Sequence, residues 1–158
     1  MANTQSMCTS FMSELMTGTH NFGTAPTRAV TTADTFKAAL YLASATINAS
    51  TTAYSATGEV SGTGYSPGGV TVTNATPLSS TNTSSTAGTA YWTPSASISY
   101  TTVTLTTAFD AVLIYNSTQS DKAVSVHTFG SQTVTAGTFT LTMPSNTTST
   151  ALLRLATT

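Results

Sequence analysis

Residues 111–115, Ala-Val-Leu-Ile-Tyr, form a continuous apolar run, the pattern of a strand covered on both faces. A polar, turn-rich stretch over 116–122 follows. From 123 to 129 the chain alternates, with Val124 and Val126 on one face and His127 on the other. After punctuation at Gly130-Ser131-Gln132 and Ala136-Gly137, Phe139, Leu141 and Met143 alternate with Thr138, Thr140 and Thr142. The stretch 108–144 therefore predicts three successive strands paired as antiparallel hairpins. Pro144 has no N–H to give a ladder and closes the last of them.

Upstream the period changes. Cys8, Phe11, Met12, Leu15 and Met16 fall at i, i+3, i+4, i+7 and i+8, one face of a helix of about 10–14 residues. Asn3, Thr4 and Ser6 are candidate N-caps and Gly18 a stop. The Met-rich apolar face either lids one end of the β core or docks on a partner chain. Phe36, Ala38, Leu40 and Leu42 then alternate with Thr35, Lys37, Ala39 and Tyr41, which predicts a strand over 35–42. The glycine-rich segment 59–69, EVSGTGYSPGG, lacks the Gly-Lys-Ser/Thr ending of a phosphate loop and no helix pattern follows it. It is read as a turn or bulge needing positive φ, with Val70 and Val72 starting another strand. The Ser/Thr/Asn tract 76–89 predicts an exposed loop. Ile98, Tyr100, Val103 and Leu105 predict one bent or two short strands, and Leu152, Leu153 and Leu155 a final one. These elements give a mainly β fold. They predict an antiparallel β-sandwich, jelly-roll-like, with one short N-terminal amphipathic helix. Residues 1–20 form the helix and arm, and 21–158 a single sandwich domain.

Charge narrows the function. Only 6% of the 158 residues are charged and the net charge is −1. Arg28, Lys37, Lys122 and Arg154 are scattered, so there is no basic stripe for phosphates and no nucleic-acid partner is expected. No apolar run approaches the length of a membrane helix, so no membrane partner is expected. The start lacks a signal-peptide pattern, and synthesis without Sec export is expected. Cys8 is the single cysteine, which leaves no disulfide framework or zinc cluster. With two histidines and five carboxylates, a Ser-His-Asp triad can be drawn only by imagination, because no Gly-x-Ser-x-Gly elbow is present. The chain is expected to be no enzyme and to carry no cofactor or metal. Trp92 is read as a core residue or as a platform for sugars.

The ordered segments CTSFMSELMTGTHNF, DTFKAALYLASAT, EVSGTGYSPGGVTVT and AVLIYNSTQSDKAVSVHTFGSQTVTAGTFTLTMP together resemble a family of small tailed-bacteriophage virion proteins similar to head decoration or cement proteins. The tract 76–89 lies outside the resemblance, and Met12 stands where the family's opening helix has a lysine. The resemblance implies a virion structural protein on the capsid exterior, made in the host bacterial cytoplasm. Its partners would be the major capsid protein lattice, which it stabilises, and itself, as a dimer or trimer. No catalytic residue carries over. The expected contacts are Phe11, Met12, Leu15 and Met16 on the helix, with Glu59 and Tyr65 in the glycine-rich loop. Two alternatives stand beside this: a receptor- or glycan-binding module of a head or tail fibre, using Tyr91 and Trp92, and a tail or neck structural protein.

Overall fold

Two long strands, β6 (Ile98–Asn116) and β7 (Lys122–Leu141), form the hairpin that carries the molecule. The computed structural model describes residues 3–16, 18–20, 22, 33–74, 79–81 and 88–156. Before the hairpin come β1 (Ser6–Met7), α1 (Thr9–Met16), β2 (Phe36–Leu42), β3 (Val70–Val72), β4 (Ser79–Thr81) and β5 (Thr89–Trp92); β8 (Leu153–Ala156) follows it. The fold is mainly β and every pairing is antiparallel. Among the described residues, five strands in the order β1-β7-β6-β2-β3 make one sheet, three in the order β4-β5-β8 a second, and neither closes on itself. Among the described residues no helix is long and apolar enough to cross a membrane.

The three strands expected over 108–144 are two. Residues 111–115 belong to β6, which runs unbroken from Ile98 as the bent-strand alternative required. Gly130-Ser131-Gln132 and Ala136-Gly137 do not end β7. Register shifts between Tyr100 and Ala111 of β6 and their partners absorb the extra residues, and Ala136 takes a φ of 47° there. A long partner strand lets bulges replace turns. The tract 76–89 also departs from a plain loop, because Ser79, Ser80 and Thr81 pair with Tyr91, Ala90 and Thr89. Threonine's β-branch suits a strand as well as serine suits a turn; the remainder of that tract falls on residues outside those described, apart from Gly88 and Thr89. The N-terminal helix is present but short, at 8 residues. Gly18, at φ 70°, stops it, with its N–H on the Leu15 carbonyl and that of Thr19 on the Glu14 carbonyl, a left-handed C-terminal cap.

Register assigns the two faces of the large sheet. Phe36 opposes Asn116, Ala38 opposes Ile114, and Val112 opposes His127, so these side chains share one face. Phe22 stacks on Phe36 with centroids 4.3 Å apart, and Trp92 of β5 closes on Phe22 at 4.8 Å. Helix α1 and the small sheet therefore lie on this face. The other face holds Tyr41 and Tyr115 and is covered by the chain over 43–69, where Tyr54 stacks on Tyr115 at 4.8 Å. Covering on both sides explains why 111–116 are all buried, each large apolar side chain there contributing about 1.5–3 kcal/mol.

Candidate functional site

Helix α1 is fastened before it is displayed. The Cys8 N–H donates to Val124 O and that of Thr9 to Ala49 O. From its inner side a polar relay runs into the sheet. Lys122 Nζ donates to Glu14 Oε1 at 2.6 Å, and Glu14 Oε2 meets His20 Nε2 at 2.7 Å. Asn116 Nδ2 gives one hydrogen to His20 Nδ1 at 3.1 Å and the other to Asp34 Oδ2 at 2.7 Å. Since Nδ1 accepts, the network assigns His20 the tautomer whose Nε2–H donates to Glu14. Burial raises the Glu14 carboxyl, but the hydrogen bonds from Lys122 and His20 and the charge of Lys122 outweigh it and leave it below its ordinary value. Burial, and then the charge of Glu14, push the Cys8 thiol up to about 11. That thiol is no nucleophile at neutral pH.

Met12 is 48% exposed and Leu155 of β8 is 43% exposed, the two large hydrophobics that stand out among the described residues. Between helix and small sheet lies a slot of about 120 Å³ lined by Phe11, Leu15, Phe22, Trp92, Leu153 and Leu155, among others. Trp92 is 3% exposed and its Nε1–H has no hydrogen-bond partner among the described residues. Burial without a partner costs an indole N–H roughly 1–3 kcal/mol.

The residues named from sequence divide. Met12 is exposed and Leu15 lines the slot; the side chain of Met16 lies outside the described ones. Phe11 is 2% exposed and packs edge-on to His20 at 4.8 Å. It supports the surface from beneath and lines the slot. Glu59 and Tyr65 turn inward: Tyr65 Oη donates to Glu59 Oε1 at 2.7 Å and accepts from Leu40 N–H at 3.0 Å. That leaves 61–64, Ser66 and Pro67 as the exposed part of the loop. Tyr91 is half-buried on the rim of the slot, whereas Trp92 is spent in the core against Phe22 and Phe36. Its ring offers no open face to a sugar.

A second cavity, of about 640 Å³, was not foreseen. It lies between the sheets, with Ser125 and His127 of β7 on one side and Leu153, Arg154 and Ala156 of β8 on the other. Ser125 Oγ and His127 Nε2 are 2.9 Å apart. None of the lining residues is acidic, so the pair lacks the third member of a triad. The two-residue spacing opposite Val124 and Val126 was the only sequence signal for it. Burial pushes the His127 imidazole down to about 4, so it is neutral at pH 7. A depressed histidine stabilises the fold fully above the unfolded value near 6.5, and that contribution fades as pH falls toward 4. Wild-type stability measured by urea unfolding is expected to drop by at most about 3 kcal/mol from this source between pH 7 and pH 4. His127→Gln removes that part of the dependence; an unchanged pH profile in the variant refutes the assignment. Compared with protein-family models, curated proteins and solved structures, the chain matches none of them.

Proposed function

We propose that this chain is a non-enzymatic capsid decoration protein of a tailed phage, resident on the exterior of the virion, that binds the major capsid protein lattice and stabilises the head. In this reading the two sheets are the layers of a jelly-roll-like sandwich. The observation that carries the proposal is the apolar slot between α1 and the small sheet, with Leu155 exposed in its lining and Met12 exposed on the helix that supplies Phe11 and Leu15, on a fold whose surface is otherwise rich in hydroxyls. Interfaces concentrate their energy in such small apolar anchors ringed by polar residues. The loop over 59–69, held from within by Glu59, lies on the opposite face of the large sheet and adds a second, preorganised contact that loses little entropy on docking. A net charge of −1 also leaves little repulsion between many copies on one surface.

Quantitative mass spectrometry and cryo-electron microscopy of purified particles test this first. Hundreds of copies over capsomer junctions are expected; a few copies at a neck or tail tip overturn the proposal in favour of a tail or fibre part. The double variant Met12→Asp, Leu155→Asp should fold normally by circular dichroism, since both side chains are exposed, yet bind decoration-free shells at least about tenfold more weakly. Wild-type binding by that variant removes this patch from the interface.

A further inference from the structure

The 640 Å³ cavity has a particular place in the topology. Among the described residues, β1 is the last strand of the large sheet and pairs only with β7, and β8 is the last strand of the small sheet and pairs only with β5. Gln5, Ser6 and Met7 line the cavity from one side and Leu153, Arg154 and Ala156 from the other. Two sheet edges thus border one open seam. An edge presents a row of backbone N–H and C=O groups ready to pair with another strand. Natural edges are blunted by proline, inward charge or covering chain, and neither β1 nor β8 contains a proline.

We propose that this seam receives a short extended segment of a partner chain, added as a strand along β8, with an acidic side chain set against Arg154. The volume lies within the roughly 300–1,000 Å³ of built ligand sites. Strand addition draws affinity from main-chain hydrogen bonds and specificity from alternate side chains. Among the described residues Arg154 is the sole charged one in the lining, and its Nη1 is anchored on the Ser149 carbonyl. A guanidinium fixed in place is a selective site for a carboxylate.

A second copy of this chain cannot supply that carboxylate in an extended strand. Its five carboxylates are all placed: Glu14 on Lys122 and His20, Asp34 on Asn116 and Gln119, Glu59 on Tyr54 and Tyr65, and Asp110 on Asn3. Asp121 sits in the β6–β7 turn at φ 57°. The occupant is a different protein, which on the reading above is the capsid subunit; the inference deepens that reading and names a second contact.

The test uses the isotope-labelled full chain and a probe pentapeptide, acetyl-Val-Thr-Glu-Thr-Val-amide, beside its Gln counterpart. In titrations to about 5 mM, the range where weak peptide binding is read, amide shifts are expected at Ser6, Met7 and 153–156. The Glu peptide should bind at least about fivefold more tightly than the Gln peptide, and Arg154→Gln should erase that preference. Ala156→Trp, at an exposed position, should block both. Absent shifts, shifts elsewhere, equal binding of the two peptides, or a peptide-independent dimer through this seam each overturn the inference. The shell-binding assay above is separate: intact shell binding with a silent seam sinks this inference and leaves the decoration reading standing.

Discussion

Replacing Glu59 with Ala should cost about 3 kcal/mol and lower the melting temperature by about 10 °C. The half-buried carboxylate accepts three hydrogen bonds: Tyr65 Oη at 2.7 Å and Gly68 N–H at 2.8 Å on Oε1, and Tyr54 Oη at 2.6 Å on Oε2. Bonds to a charged group are worth roughly 1.5–3 kcal/mol each, and the donors left behind are not all within reach of water. Burial first, and then the Glu59 contact, push the Tyr65 and Tyr54 phenols above their ordinary value, so both remain donors across the neutral range. Tyr65 in turn accepts from the Leu40 N–H of β2, and Tyr54 stacks on Tyr115 of β6. Glu59 therefore ties the loop over 59–69 to the sheet. Glu59→Gln keeps the shape and one acceptor oxygen and should cost less, about 1 kcal/mol. Hydrogen exchange at Gly68 and Leu40 should quicken in Glu59→Ala before global unfolding. Loss below about 0.5 kcal/mol, or equal effects of Ala and Gln, would show that the loop is held by other means.

Sequence made this loop visible but not its use. Its glycines announced positive φ, and Gly64, Gly68 and Gly69 have φ of 79°, 85° and 73°. At Gly69 an added Cβ would run into the Ala38 carbonyl, so the glycine serves close approach to β2 as well as the turn. What the pattern could not give was direction. Glu59 and Tyr65 are polar residues in a polar loop, and only the fold sets them inward on Leu40 and Tyr54. Helix α1 and strand β2 were legible because each carries an uninterrupted period. The hairpin was misdivided at Gly130 and Ala136 because a bulge and a turn use the same residues, and only the length of β6 decides between them. Phe11 shared a helical stripe with Met12, yet a stripe wide enough to predict a helix spans both the buried and the exposed rim. The inter-sheet seam left almost no trace, since it arises from two edges distant in sequence.

Asn116→Asp should destabilise the fold by about 3–5 kcal/mol at pH 7, with almost no change in shape. Asn116 is fully buried and uses every hydrogen-bonding capacity of its amide. Nδ2 donates to His20 Nδ1 and Asp34 Oδ2, while Oδ1 accepts from Thr118 N–H at 3.1 Å and Gln119 N–H at 3.2 Å. The substitution keeps the acceptor and turns the donor into a second carboxylate oxygen, placed against the Asp34 oxygen now 2.7 Å away. Two carboxylates at that distance cannot both ionise, so the pair holds a proton with a raised value. A group raised in the folded state is most favourable at low pH and loses its contribution as pH rises. The penalty should therefore shrink on acidification from pH 7 toward pH 4. The wild type runs the other way, because His127 is depressed and Glu14 lies below its ordinary value. Urea unfolding of both proteins across that range reads the crossing trends directly. A penalty independent of pH would mean that packing, not charge, sets the cost. A penalty below about 1 kcal/mol would mean that the relay from Lys122 to Asp34 does not hold α1 to the hairpin.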